Sequence, residues 1–352
     1  MKKTACVIGF LTCANAYAES QVNIYGVVDM GARHAVGLSS SNAPSPGQTN
    51  SLGSGINSTS RWGIRGREDL GGGTAVTFAL ESGLAADTGG QLNANAYFDR
   101  ASWLGLSGRW GTLTAGRQTV LLADAVILTD PLGLRFASLN SNIGISALSA
   151  HGLGIEFGPS GSTAGSYRIN NSVKYAANVG SLRLSAMYGF GEGSVSTAPQ
   201  SSRGAGLAYK EGPLTVAASF QNFRAANFRE LHAYVIGGAY QFETIRLAAS
   251  FARNEADTTA TTQTRQQVAS VGATWALSPA VDLTAAYYDI KRRRTALAGD
   301  GFGRLIAFAE YKFSRRTAVY AEADATRWRG GYQGAVASAR AKGVSVGVKH
   351  TF

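Results

Sequence analysis

The sequence Glu310-Tyr311-Lys312-Phe313-Ser314-Arg315-Arg316 places two aromatic residues at the end of an alternating stretch, directly before a short polar turn. An aromatic residue shortly before a turn occurs in the same way four times earlier in the chain. These aromatic residues are Tyr175, Tyr209, Tyr240 and Trp275, so that successive copies lie 34, 31, 35 and 36 residues apart. A pair of strands with a short turn at one end and a longer connection at the other has this spacing. Aromatic residues at the edges of an apolar band are typical of strands that cross a lipid bilayer, so the repeat predicts a transmembrane β-barrel.

Apolar and polar residues alternate along the predicted strands, which is the signature of a sheet whose two faces meet different surroundings. The last strand is the clearest case, with Val344, Val346 and Val348 against Ser345 and Lys349. No stretch after the N-terminal segment approaches the roughly 18 apolar residues that a membrane helix needs. A membrane protein of this kind must be a closed barrel, because only closure pairs every strand's backbone groups within lipid.

The strands can be counted from the turns. The five repeats predict ten strands, and two earlier hairpins, turning at Gly71–Gly73 and at Gly108–Gly111, predict four more. An opening strand at about 21–37 and a closing strand at about 342–352 bring the total to sixteen. An even number leaves both termini on the side of the short turns. The predicted fold class is therefore all-β, a transmembrane antiparallel 16-stranded barrel.

One connection, residues 118–166, is much longer than the others. Connections beyond about 15 residues are usually functional or disordered. This one carries apolar groups, at Val120–Leu122 and Val126–Leu128 and at Leu132 and Phe136. We therefore expect it to pack against another surface, such as the barrel's inner wall, and expect a short helix over 121–128.

The first eighteen residues have the features of a cleaved signal peptide. Lys2-Lys3 precedes the largely apolar segment 4–12, and Ala16-Tyr17-Ala18 is a small-x-small cleavage site. We expect residues 19–352 to form a single barrel domain. Both cysteines lie in the removed segment, which excludes disulfides and thiolate chemistry from the mature chain.

The chain is basic, with 33 Lys and Arg against 22 Asp and Glu and a net charge of +11. Removal of the signal peptide lowers the net charge to about +9. Nucleic-acid binding is disfavoured, because the basic residues are spread along strands and the chain is exported. Lys291–Arg294 is the one dense basic run, and we interpret it as a solvated loop.

The sequence predicts neither a catalytic site nor a cofactor. The four histidines are scattered without the spacing of metal ligands. The string Gly343-Val344-Ser345-Val346-Gly347 matches a nucleophile elbow, but that motif needs a strand-to-helix turn and this string lies within the last strand.

Basic residues occupy the polar positions of many strands. A charge facing lipid at mid-depth costs roughly 2–4 kcal/mol, so these side chains are expected to face a water-filled interior. They are Arg61, Arg65, Arg67, Arg100, Arg168, Lys174, Arg183, Arg246 and Arg304. In the long connection, Asp124 and Asp130 stand among apolar residues.

Several segments together resemble the trimeric porins of Gram-negative outer membranes, of the beta-proteobacterial and neisserial type. They are Val22–Asp29, Ser60–Gly73, Gly105–Gly108 with Gly116–Gln118, Asn170–Tyr175, and the terminal Phe352. Together they extend over nearly the whole mature chain.

This resemblance implies a homotrimer of sixteen-stranded barrels in the outer membrane, surrounded by lipid and lipopolysaccharide. It also implies that the long connection, residues 118–166, is the third loop, which folds into the lumen and constricts the pore. It implies a pore constriction with a basic side at Arg61, Arg100 and Arg168 and loop acids at Asp124 and Asp130. The polar strand positions add Arg65 and Lys174 to the predicted basic side. The resemblance also implies that Phe352 is read by the outer-membrane insertion machinery. The third loop departs from the family pattern, because it is rich in apolar residues and poor in acids.

The function expected from these features is passive diffusion of small hydrophilic solutes and ions, with a preference for anions because the lining is positive. The apolar third loop leaves open a substrate-selective channel for small carboxylates or other amphipathic anions. An outer-membrane enzyme would need clustered His, Ser or acidic residues near the rim, and an adhesin would need further long loops. The sequence shows neither.

Overall fold

The computed structural model describes residues 20–40, 42–141, 167–191, 201–224, 228–257, 259–333, 336 and 338–352. The predicted signal peptide lies outside these residues, as does the later part of the long connection. Most of the described chain is β-strand, because its alternation of side chains suits a pleated sheet.

The strands are β1 (Gln21–Leu38), β2 (Pro44–Ser54), β3 (Arg61–Gly71), β4 (Thr74–Ala85), β5 (Gly90–Gln91), β6 (Ala101–Gly108), β7 (Gly111–Thr119), β8 (Arg168–Val179), β9 (Leu182–Gly189), β10 (Ser202–Glu211), β11 (Leu214–Arg224), β12 (Glu230–Phe242), β13 (Ile245–Asp257), β14 (Gln263–Ser278), β15 (Val281–Arg294), β16 (Asp300–Lys312), β17 (Thr317–Arg329) and β18 (Arg340–Thr351). The helix α1 (Leu121–Thr129) follows β7, and a short 3-10 helix (Gly330–Tyr332) follows β17.

The strands form one closed antiparallel barrel. Each wall strand pairs with its neighbours in the sequence, and β18 closes the barrel by pairing with β1, from Val27 opposite Thr351 to Val36 opposite Lys342. The first half of β1 pairs with β3, and its second half with β2. Because β2 extends the first hairpin and β5 has only two residues, the wall consists of sixteen strands among the described residues, which confirms the predicted number.

The predicted turns are also confirmed. Gly71 pairs with Thr74 and Gly108 with Gly111, and the five aromatic repeats each end a strand before a tight connection. The termini of the barrel lie at this same end. The longer connections leave the opposite end, which in bacterial outer-membrane barrels is the extracellular one.

The barrel's large buried core lies inside the lumen. Many outward positions are apolar and exposed, as predicted, for example Val344, Val346 and Val348. The inward positions of β11–β16, however, are not uniformly polar. There Val235, Val268 and other small or apolar side chains pack against the third loop in one buried cluster. The expectation that this loop packs on the inner wall is therefore confirmed, as is its helix at Leu121–Thr129.

None of the helices in the described part of the chain has the length and apolar character needed to cross a membrane.

Candidate functional site

Three arginines lie around the carboxylate of Glu81 on the inner surface of β3–β8. Arg61 begins β3, Arg100 directly precedes β6 and Arg168 begins β8, so neighbouring strands bring them together at the long-connection end. Arg100 Nε lies 2.6 Å from Glu81 Oε1, and Arg61 Nε lies 3.5 Å from Glu81 Oε2. The Tyr25 hydroxyl also donates to Glu81 Oε2, at 3.0 Å. One carboxylate thus serves two guanidinium groups.

Arg168 stacks on the tyrosine that precedes it. Its Cζ lies 4.2 Å from the centre of the Tyr167 ring, and its Nη2 donates to the Tyr167 hydroxyl at 3.3 Å. Burial raises the pKa of the Tyr167 hydroxyl, but the positive charges of Arg168 and Arg100 outweigh burial, and the pKa lies below its usual value. The two guanidinium groups therefore favour the ionised form of this hydroxyl.

The helix α1 faces this surface and contributes one acid. Lys174 Nζ lies 2.8 Å from Asp124 Oδ2 and 3.2 Å from Thr119 Oγ1. Between the helix and the wall lies a cavity of about 560 Å³. Its charged lining consists of Arg100, Arg168, Lys174 and Arg183 with Glu81 and Asp124. We call the inner surface that carries Arg61, Arg100, Arg168, Lys174 and Arg183 the basic wall.

The other side of α1, together with the turn that follows it, packs on a surface of small and apolar residues, which we call the apolar wall. It consists of Ala217, Val235, Gly237, Ala252, Val268, Gly272, Ala286 and Tyr288 on β11–β15. A Cβ atom at Gly237 would lie 2.6 Å from Thr129 Cβ, and one at Gly272 would lie 2.7 Å from Pro131 Cβ. The loop approaches this closely only because glycine has no side chain.

Polar side chains of β11 and β13 bind both ends of α1. The backbone N–H of Leu121, at its first turn, donates to Gln221 Oε1 at 3.0 Å. At its other end, Arg246 Nη2 donates to the carbonyl oxygen of Leu128 at 2.9 Å. A cation at this end complements the helix dipole, and the last turn of α1 has no basic residue of its own.

Asp130 takes a different position from the one expected for a pore acid. It is fully buried, and its Oδ2 accepts hydrogen bonds from the backbone N–H groups of Leu132 and Leu134 and from Asn140 Nδ2. Its Oδ1 accepts one from the Tyr288 hydroxyl at 3.0 Å. The carboxylate therefore organises the turn after α1 and ties it to the apolar wall.

A second arginine, Arg304, binds the last part of the third loop that the structure describes. Arg304 Nη1 donates to the carbonyl oxygen of Leu139 at 2.9 Å, and its Nε donates to Thr326 Oγ1 at 2.8 Å. Phe136 packs between the rings of Phe308 and Tyr320, with centroids 4.8 and 5.9 Å away. Arg246 and Arg304 face inward as expected, but both bind the loop's carbonyl oxygens.

Two other predicted residues lie apart from this group. Arg65 is on the same face of β3 as Arg61, four residues closer to the short turns, with its Cζ 4.9 Å from the centre of the Tyr25 ring. Phe352 pairs with Gly26 through two backbone hydrogen bonds of 3.1 Å, so the terminal residue lies at the closing seam of the barrel.

Sequence reasoning missed Glu81, Arg117 and Tyr167 as members of the site. Glu81 occupies an inward position in the alternation of β4, so the sequence was sufficient to place its side chain in the lumen. Arg117 lies at a bulge of β7, where Nε donates to the carbonyl oxygen of Asp99 and Nη1 to Asn170 Oδ1, both at 2.6 Å. Simple alternation cannot predict a side chain's direction at a bulge.

Among the residues that the structure describes, no group of three or more His, Cys, Asp or Glu side chains could hold a metal ion.

A family model described as Gram-negative porin matches residues 4–331 of the chain. An outer membrane porin protein of Bordetella pertussis is 31% identical over 274 residues, covering 72% of this chain and 69% of that protein. An anion-selective porin from Comamonas acidovorans has a similar structure, with a TM-score of 0.77 and 22% identity over 95% of this chain and 100% of that one. The trimer form of OmpT from Vibrio cholerae has a TM-score of 0.71 and 17% identity, over 95% of this chain and 99% of that one.

Proposed function

This chain belongs to the Gram-negative porin family, and from that premise we propose that its outer-membrane diffusion channel is narrowest between α1 and the basic wall and prefers anions. Small hydrophilic solutes cross such a channel passively. No cofactor or energy source is part of the proposal.

The observation that carries the anion preference is the charge around one cavity. Four basic side chains and two carboxylates line it, so the lining is positive at neutral pH. Low-dielectric walls focus the field of such a lining, which raises the local concentration of anions and lowers that of cations. The selectivity named for the similar Comamonas porin supports the same conclusion.

Planar-bilayer recording tests the proposal directly. We expect the purified protein to form water-filled channels whose zero-current potential, under a KCl gradient, has the sign of chloride preference. A potential with the sign of potassium preference would contradict anion selectivity. Absence of channels from correctly folded protein would contradict pore formation itself.

A second candidate is a channel selective for small amphipathic carboxylates. The observation that favours it is Ile127, which is 55% exposed on α1 and lines the same cavity as Lys174 and Arg183. An apolar side chain facing cations suits an anion that has an apolar end. Saturable block of chloride conductance by small aromatic or branched carboxylates, but not by acetate, would favour this candidate.

We also propose that the protein assembles as a homotrimer, with support from the family resemblance and from the trimeric OmpT structure. Conductance steps in groups of three, together with chemical cross-linking to a trimer, are the expected results. A monomer in mild detergent with single conductance steps would contradict the assembly.

Export and insertion complete the proposal. We propose that residues 1–18 are removed, so that sequencing of the outer-membrane protein begins at Glu19, and that the insertion machinery reads Phe352. Deletion of Phe352 is expected to reduce assembly in cells more than refolding in detergent. Equal loss in both would indicate a structural role at the closing seam.

A further inference from the structure

A tryptophan inside the barrel has no partner for its ring. Trp103 lies on the inward face of β6, opposite Ala79 in the register, and its side chain is partly exposed. Within the described part of the chain, its indole nitrogen forms no hydrogen bond, and no second ring or cation packs on its face. By contrast, Trp110 stacks on Tyr175. Lipid does not account for Trp103 either, because inward side chains do not reach the bilayer.

Trp103 lies between two cavities of the lumen. It lines the cavity beside α1, and it also lines a second cavity of about 440 Å³. This second cavity is nearer the short turns, because it contains Arg65 and Arg67, which follow Arg61 along β3. A solute that passes from one cavity to the other therefore meets the indole. The polar lining of the second cavity consists of Gln21, Asn23, Tyr25, Arg65, Arg67 and Thr77, without an acid.

The two arginines of the second cavity keep their charge unpaired. Arg65 Cζ lies 4.9 Å from the centre of the Tyr25 ring, and Arg67 Nη1 donates to Ser107 Oγ at 3.3 Å. Among the residues that the structure describes, no carboxylate forms an ion pair with either arginine. Most of their N–H donors are therefore available to an anion from the lumen.

Arg65 and Trp103 are separated by the distance that a small aromatic acid can bridge. Ala79 on β4 pairs with Arg65 on one side and with Trp103 on the other. Neighbouring strands are about 4.8 Å apart, so the two backbones are about 10 Å apart. Only the methyl group of Ala79 lies between the two long side chains. A ring can therefore lie on the indole while its carboxylate reaches the guanidinium group.

We propose that Arg65 and Trp103 form a binding site for single-ring aromatic carboxylates, with Arg67 as a second cation. Arginine binds a carboxylate through two parallel hydrogen bonds, and an indole prefers an offset-stacked aromatic ring as its neighbour. The inference rests on the proposed anion channel, through which the solute reaches the site, and it names a class of solute for that channel.

Block of the chloride current by two matched acids tests the proposal. Benzoate and cyclohexanecarboxylate have the same charge at neutral pH and differ mainly in whether the ring is flat and aromatic. In planar bilayers we expect saturable block by both, with benzoate binding about two-fold to ten-fold more tightly, because only its ring stacks on an indole. Isothermal titration of the folded protein in detergent measures the same preference without a current.

Three variants separate the ring from the charge. Trp103→Leu keeps an apolar side chain without a flat face, so it should bind the two acids equally. Trp103→Phe should retain part of the preference for benzoate. Arg65→Gln should weaken binding of both acids by roughly ten-fold or more, because a charge-assisted hydrogen bond is lost, and should leave the preference in place.

Trp110→Leu is the matched control. Trp110 lies in the short turn of the same hairpin and lines neither cavity, so this variant should keep the preference of the wild type. A preference that persists in Trp103→Leu, or that is lost in Trp110→Leu, would overturn the proposal. If Trp103→Leu does not fold, unchanged binding of both acids by Arg65→Gln would overturn it instead.

Failure of this site and failure of the channel give different results. Wild-type channels that select chloride but bind both acids equally would overturn the site and leave the proposed function intact. Cation-selective channels, or none, would overturn the proposed function, and the titration in detergent would still report on Trp103 and Arg65.

Discussion

The strands of the basic wall and of the apolar wall carry similar side chains on their outer faces and very different side chains on their inner faces. Many outward residues of both are apolar and exposed, and strands of both follow the same two-residue alternation. Inside, β3–β9 present guanidinium and ammonium groups to a cavity, whereas β11–β15 present glycine, alanine and apolar side chains to the third loop. The basic wall therefore borders an open cavity, whereas the apolar wall is covered by the third loop.

This difference explains how α1 is held in the lumen opposite the basic wall. Ionised groups need water or partners, so they cannot fix a loop by packing alone. The apolar wall supplies that attachment, because each large apolar side chain buried there contributes about 1.5–3 kcal/mol. Burial of Leu121, Leu122 and Val126 on one side leaves Asp124 and Ile127 facing the basic wall.

The largest expected effect is on the apolar wall, from Gly237→Val. Its Cβ would lie 2.6 Å from Thr129 Cβ and 2.8 Å from the carbonyl oxygen of Ala249, so α1 or the strand must shift. Overpacking of this kind costs about 1–3 kcal/mol. We expect a lower thermal unfolding temperature and a changed single-channel conductance, because the helix that borders the cavity moves.

Gly238→Val provides the control for this prediction. Gly238 is the next residue on the opposite face, and a Cβ there would meet nothing closer than 3.5 Å. Both variants carry the same β-branched residue in the same strand. If their conductances changed equally, the close approach of the third loop to Gly237 would not control the width of the channel.

The second effect is on the basic wall, from Arg168→Glu. The substitution changes the charge of the side chain by two units. The interaction of each unit with a permeating ion about 4 Å away is worth about 1 kcal/mol in water. We expect the zero-current potential under a KCl gradient to shift strongly towards potassium, with assembly largely retained. Arg61→Glu should shift it in the same direction.

Arg315→Glu is the matched control for charge reversal. Arg315 is exposed in the short turn between β16 and β17, and neither of these strands contributes a residue to the cavity lining. It changes the net charge equally but not the local field at the cavity, because salt screens a charge in that turn. Unchanged selectivity in both Arg61→Glu and Arg168→Glu would place these residues outside the constriction.

The outer face was predictable from the sequence and the inner face only in part. Lipid imposes one rule on every outward position, so strands, turns and their number follow from alternation. The inner face has no such uniform surroundings, because some inward residues line a cavity and others pack against the third loop. Inward alanines and glycines such as Ala217 and Gly237 carry no signal of the loop that covers them. Asp130 has a sequence signal that favours a local turn, Asp130-Pro131-Leu132-Gly133. Its carboxylate does accept backbone hydrogen bonds from Leu132, within that segment, and from Leu134, just after it.

A smaller change in ion selectivity is expected from Glu81→Gln, which makes the basic wall more positive. Glu81 is the shared partner of Arg61 and Arg100. The amide oxygen can still accept a hydrogen bond, so the main change is one unit of charge. We expect greater anion preference in the KCl gradient. Glu243→Gln, in the short turn between β12 and β13, is the control, and an equal shift there would indicate a response to net charge alone.

The smallest effect is expected from Asp124→Asn, the one acid that α1 contributes to the cavity lining. Its side chain is 43% exposed and its charge is already offset by Lys174, at 2.8 Å. Pairs exposed to this degree contribute less than about 1 kcal/mol, so the unfolding temperature should change little. Lys174 loses its partner, and anion preference should rise by less than in Glu81→Gln. A large loss of stability would mean instead that the ion pair, and not the apolar wall, holds the helix in the lumen.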